Sequence, residues 1–221
     1  MSFLEEKISN EIRWRTDEIA TLKFLPFHSN LSDEQKQILK KHTIPALYSL
    51  WEGFVKDAFT HYIKEINSLN ITFDKIAPEL LAHSIDTHYL RNNEYLNEMP
   101  KDFQKSIKRI TNFVNHFKDD VARNMVVIPA TFPTESNINY EVIRKILIRF
   151  NLETLPKEPY EKNLNKLLWY RNSIAHGDFS IPIETQIIDE FSQLVIDLMS
   201  EVLLKIDDGY TNKTYLINRI D

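Results

Sequence analysis

The chain has 221 residues, 43% of them hydrophobic and 27% charged, enough for one sizeable core, which excludes wholesale disorder. Its three glycines lie far apart at Gly53, Gly177 and Gly209, so no Gly-rich phosphate loop exists, and the absence of Cys excludes disulfides, Cys-based zinc sites and a thiol nucleophile. Asp plus Glu exceed Lys plus Arg by 32 to 27, a net charge of -5, so any contact with nucleic acid must be local rather than bulk attraction.

The opening Met-Ser-Phe-Leu-Glu-Glu-Lys has no apolar leader character. The apolar stretch from about Leu47 to Ile66 is broken by Glu52, Lys56, Asp57 and Lys64. No membrane partner is expected, and a cytoplasmic location is. Phe3, Leu4, Ile8, Ile12, Ile19, Leu22 and Leu25 recur with helical spacing and predict a helix over about 3–24, stopped by Pro26. Ser32 and Gln35 form a capping-box pattern, and the helix it starts meets Pro45, which should kink it or begin a new one. Leu47, Leu50, Trp51, Phe54, Ala58, Tyr62 and Ile66 then predict a central helix over about 45–69.

Two further helices are expected over about 74–92 and 100–119, followed by an irregular insert around 120–138 with Pro129 and Pro133. Helices resume over about 139–150 and 159–176, the second ending at Gly177. A long amphipathic helix runs from Glu184 to Ile206, with Gly209 expected to end it and a tail over 208–221. The fold class is all-α: a helical bundle in a single domain over 1–221.

One stretch carries chemistry: Trp169-Tyr170-Arg171-Asn172-Ser173-Ile174-Ala175-His176-Gly177-Asp178. Arg171 and His176 are separated by ~140° around a helix, while Asn172 and His176 share a face. Arg offers a charged fork for a phosphate, and His passes a proton near neutral pH. RNA brings its own nucleophile, the 2′-hydroxyl, so this pair suits phosphodiester cleavage with no cofactor and no metal. The same pair also fits a carbonyl-capping Arg and a core His. Ser173 lacks the G-x-S-x-G turn of a nucleophile. No His-x3-His pair exists, Gly53 fits close helix approach, and Trp51 and Trp169 read as core packing.

Arg171-Asn172-Ser173-Ile174-Ala175-His176-Gly177 resembles the R-N-x-x-A-H-G form of the R-x4–6-H signature of HEPN domains (higher eukaryotes and prokaryotes nucleotide-binding). Tyr48-Ser49-Leu50-Trp51-Glu52-Gly53-Phe54-Val55 resembles the N-terminal core helix of a prokaryotic branch with RNase-toxin-like members. The resemblance implies a helical bundle whose dimer faces two motifs across a cleft. It implies metal-independent endoribonuclease activity on RNA, in toxin–antitoxin or phage-defence systems with a corresponding antitoxin or defence partner. Arg171 and His176 match the signature, Asn172 the polar position after the Arg, and Glu52 the acidic residue of the earlier helix. On that reading Glu52 faces Arg171 and orients its guanidinium; the alternative is a surface pair with Lys56. A branch with Tyr two positions after the His is neutralised by nucleotidyl transfer to it; Asp178 stands there, near the site, so that neutralisation is not expected. Lys105, Lys108 and Arg109, beside Lys101, are candidate RNA contacts, as are Arg144, Lys145 and Arg149; solvated helix faces are the alternative. Two other readings stay open: a catalytically silent HEPN interaction module, and a helical scaffold in which Arg171 and His176 are structural.

Overall fold

The structure is a computed structural model that describes residues 2–27, 30–86, 126–134, 137–177 and 183–217, with Gln104, Ile107, Lys108 and Thr111 between them. It is an all-α bundle with, among the described residues, six α-helices and no strand: α1 (Phe3–Phe24), α2 (Asp33–Ser68), α3 (Pro78–Ile85), α4 (Tyr140–Arg149), α5 (Lys157–Ala175) and α6 (Thr185–Thr211). No helix among the described residues is long and apolar enough to cross a membrane.

Local sequence starts the first two helices in the same way. Ser2 and Glu5 form a capping box on α1, and Ser32 and Gln35 form one on α2, with Ser32 Oγ 3.2 Å from the Gln35 N–H. A single 3-10 turn, Leu25–Phe27, follows α1 and contains Pro26. Of the two outcomes expected at Pro45, a new helix does not begin there. One helix of 36 residues runs through it, because a missing N–H removes one intrahelical bond while the flanking Ile44, Leu47, Tyr48 and Trp51 are all buried.

α2 is the axle of the bundle. It packs against α1, α5 and α6, and α1 packs in turn on α6. Trp51, Phe54, Phe59 and Tyr62 are fully buried. Phe150, just past α4, meets the rings of Phe59 at 5.2 Å, Phe132 at 6.0 Å and His83 at 4.9 Å, tying the insert to the core. α1 and α6 run antiparallel: Ser2 Oγ donates to Asp207 at one end, and Lys23 pairs with Asp189 at 2.7 Å at the other.

The insert is irregular, as its prolines require, and it is fastened by side chains. Asn67 brackets Ile128, donating to its carbonyl at 2.9 Å and accepting from its N–H at 2.8 Å, as a neighbouring strand would. His83 contacts the Pro129 carbonyl at 3.1 Å and Ser84 donates to that of Val127. The helix expected over 74–92 is described only as the short α3, preceded by a turn that pairs Ile76 with Leu216. The helix expected over 100–119 lies outside the described residues but for four isolated positions, as does the end of the tail.

Two glycines take roles set by packing. Gly209 does not end α6, which continues to Thr211; a Cβ at Gly209 would overlap the Leu152 side chain. At Gly53 a Cβ would lie 3.4 Å from Arg15 Nη2, so the close approach is made by an arginine of α1.

Candidate functional site

α5 delivers the motif. Its last backbone bond runs from the His176 N–H to the Asn172 carbonyl at 3.0 Å, and Gly177 follows with φ 84°, the left-handed turn that releases the chain. Arg171 and Asn172 are half-buried, whereas His176 is exposed at the helix end.

Arg171 is held on three sides. Its Nη1 donates to Asn172 Oδ1 at 2.8 Å and reaches Asn137 Oδ1 at 3.3 Å, and its guanidinium lies 5.1 Å from the centre of the Tyr48 ring. The rest of the cradle holds Asn137 in place. Tyr48 Oη accepts from the Ile138 N–H at 2.5 Å, and Trp51 Nε1 donates to the Ile138 carbonyl at 3.0 Å. Two fully buried rings of α2 thus grip both backbone polar groups of one residue, Ile138, next to the residue that meets Arg171.

Burial pushes the Tyr48 hydroxyl up to about 12, with the Ile138 N–H and the Arg171 charge opposing that rise and Glu52 adding to it. The phenol is therefore neutral at physiological pH and is no general base. The signs place both Glu52 and Arg171 within electrostatic reach of one ring.

Glu52 does not orient Arg171 in this structure. Its carboxylate pairs with Lys56 at 2.6 Å, one helical turn on, and among the described residues it makes no hydrogen bond or ion pair with Arg171. Every polar partner of Arg171 among the described residues is neutral. Asn137 was missed in the sequence, where nothing distinguishes it from Asn139, which caps α4 through the Val142 N–H. Tyr48 and Trp51 carried a signal, polar-tipped aromatics one turn apart on the buried face.

The basic candidates are not one free patch. Arg144 is taken up by Glu141, at 2.7 and 2.8 Å. Arg149 binds Asp86 at 2.7 Å and His83 Nδ1 at 3.1 Å. Lys108 is exposed, while Lys105, Arg109 and Asp178 lie outside the described residues. Trp169 is not core: it is 56% exposed.

The chain belongs to the MAE_28990-like HEPN family, whose model matches residues 4–215. No curated protein and no solved structure matches it.

Proposed function

We propose that this chain is a metal-independent endoribonuclease that works as a homodimer, in a toxin–antitoxin or phage-defence setting. One observation carries the reading: among the described residues Arg171 is fixed by neutral partners only, which leaves its charge for an anion from outside the chain. An arginine that served only to cap or to pack would be expected to spend its charge on a carboxylate or a helix carbonyl.

In the proposed reaction His176 takes the proton of a ribose 2′-hydroxyl, whose oxygen attacks the adjacent phosphorus. The phosphorus–5′-oxygen bond breaks, and the leaving oxygen receives a proton from an imidazolium. Arg171 neutralises the charge that builds on the non-bridging oxygens. The products are a 2′,3′-cyclic phosphate and a 5′-hydroxyl. Base and acid are needed in one turnover, and a second copy across a two-fold axis supplies the second imidazole. The imidazole of His176, exposed and without a side-chain partner among the described residues, is consistent with a group that finds its partners only on assembly.

The test is incubation of the purified protein with RNA in EDTA. Cleavage should persist, leave those ends, and fall to background for His176→Ala in a protein that stays folded. An intact dimer that binds RNA or protein partners without cutting would instead establish a silent HEPN interaction module.

A further inference from the structure

Trp169 is, among the described residues, the tryptophan whose exposure neither the core nor a partner explains. Of the other tryptophans, Trp51 is buried, and Trp14, though 46% exposed, has Arg15 stacked 4.1 Å from its ring centre and its N–H bonded to Glu11 at 2.8 Å. Trp169 makes neither use of its ring. Among the described residues its N–H has no partner, and its ring contact is with Tyr170, T-shaped at 5.0 Å. Tyr170 in turn stands on Phe191 at 5.5 Å, so the indole is backed by two rings leading into the core.

The position of Trp169 on α5 matters more than its exposure. Trp169 and His176 are seven positions apart, which on an α-helix is ~20° of rotation and ~10.5 Å of rise. Asn172 falls between them on the same stripe, and Lys162 lies seven positions before Trp169. Asn172 Oδ1 is taken by Arg171, and its amide N–H groups are donors with no partner among the described residues. Lys162 is exposed, with no ion pair among the described residues. From Lys162 to Gly177 there is no Asp or Glu, although the whole chain is net acidic.

We infer that this stripe, Lys162–Trp169–Asn172–His176, is a subsite for single-stranded RNA, with an unpaired base flanking the cut stacked on the Trp169 indole. The inference rests on the ribonuclease reading above and adds the form of the substrate. An aromatic platform accepts any base but needs its face free, and a base within a duplex offers none. Lys162, with no Asp or Glu between it and Gly177, meets the backbone that carries the base.

The test uses short single-stranded 2′-O-methyl RNA, which cannot be cut, in a Trp14→Phe background so that the remaining exposed indole reports. Binding should quench the fluorescence. Trp169→Ala should weaken binding roughly 5- to 150-fold, and Trp169→Phe should restore most of it. The same sequence as a duplex should bind no differently to wild type and to Trp169→Ala. Equal single-strand affinity for wild type and Trp169→Ala would overturn the subsite. So would an indole shielded from acrylamide in the RNA-free dimer and unaffected by RNA, which would mean that a second copy covers it. Binding is read without cleavage, and cleavage of ordinary RNA can be read in the same variants, so failure of the subsite and failure of the nuclease reading give different results.

Discussion

Arg15 and Arg171 each set a guanidinium against an aromatic ring of α2, Arg15 5.8 Å from the centre of Phe54 and Arg171 5.1 Å from that of Tyr48. Their other partners are opposite in kind. Arg15 is 2% exposed and neutralised by two carboxylates, Glu11 and Asp57, each at 2.5 Å. Arg171 is half-buried and has two amide oxygens and a ring, with no carboxylate among the described residues. The first charge is consumed in joining α1 to α2. The second is oriented without being consumed. The same residue type against the same helix thus serves cohesion in one place and, on the proposed reading, anion recognition in the other, and the partners tell them apart.

The sharpest way to break this comparison is to truncate each arginine and measure both stability and cleavage. Arg171→Ala should lower cleavage about 10²–10³-fold, the usual loss when one charge-stabilising donor is removed, and move stability by no more than about 0.5 kcal/mol. Arg171→Lys should fail almost as badly, because an ammonium cannot reproduce the planar fork. Arg15→Ala should do the reverse. It leaves Glu11 without its cation and should cost about 2–3 kcal/mol in a denaturant melt, less than a fully buried pair because Asp57 is half-exposed. If Arg171→Ala proves as destabilising as Arg15→Ala, Arg171 is a packing residue and the functional reading falls.

The brace behind Arg171 comes next in size. Tyr48→Phe keeps the ring under the guanidinium but leaves the Ile138 N–H buried without its acceptor, which should cost about 1–3 kcal/mol. Asn137→Ala removes only the far contact of Arg171 and should leave the melt nearly unchanged. Cleavage should still fall about tenfold in kcat, about 1.4 kcal/mol of barrier, because the guanidinium is less well aimed. Unchanged kcat in Asn137→Ala would show that Asn172 alone suffices.

Acid should act on the Arg15 side. Burial resists ionisation of Glu11, but hydrogen bonds from Trp14 and Arg15, the Arg15 charge and His61 outweigh it and hold the carboxyl below its ordinary value. A group whose pKa is lower folded than unfolded stabilises above the unfolded value, ~4.3, and loses that contribution as pH falls through the folded one. Stability should therefore decline with acid below about pH 4.3, and Glu11→Gln should be less stable at neutral pH with a shallower acid limb. Equal acid limbs would show that Glu11 is not held by Arg15 in solution.

What could be read from the sequence follows from the range of the forces involved. Both α1 and α5 were found near their true bounds because capping, apolar period and the Gly177 stop are local. Pro45 and Gly209 misled for the same reason. Local rules allow a new start at Pro45 and a stop at Gly209, while burial of Trp51 and the seat for Leu152 are decided by partners far along the chain. Arg171 and His176 stood out by spacing. Asn137 did not, because its role depends on Tyr48 and Trp51 gripping the next residue, Ile138, from 90 and 87 positions away in sequence. Trp169 was assigned to the core from its residue type, but its place on α5 turns it outward.

Glu52 gives the smallest expected effect and the finest discrimination. In the structure its carboxylate lies on Lys56, a partly exposed i,i+4 pair worth a few tenths of a kcal/mol. Glu52→Gln should therefore barely move the melt. It should also leave cleavage within about twofold if Asn137 and Asn172 are what orient Arg171, since ~0.4 kcal/mol is the scale of the pair it breaks. Lys56→Met provides the control: it frees the carboxylate without removing it. If Glu52 were needed for Arg171, Glu52→Gln would lose activity while Lys56→Met kept or raised it, and the comparison between the arginines would have to be redrawn, with a carboxylate on both. If both variants cut RNA like wild type, Arg171 keeps its charge for the substrate, and the acidic residue of the earlier helix has no part in aiming it.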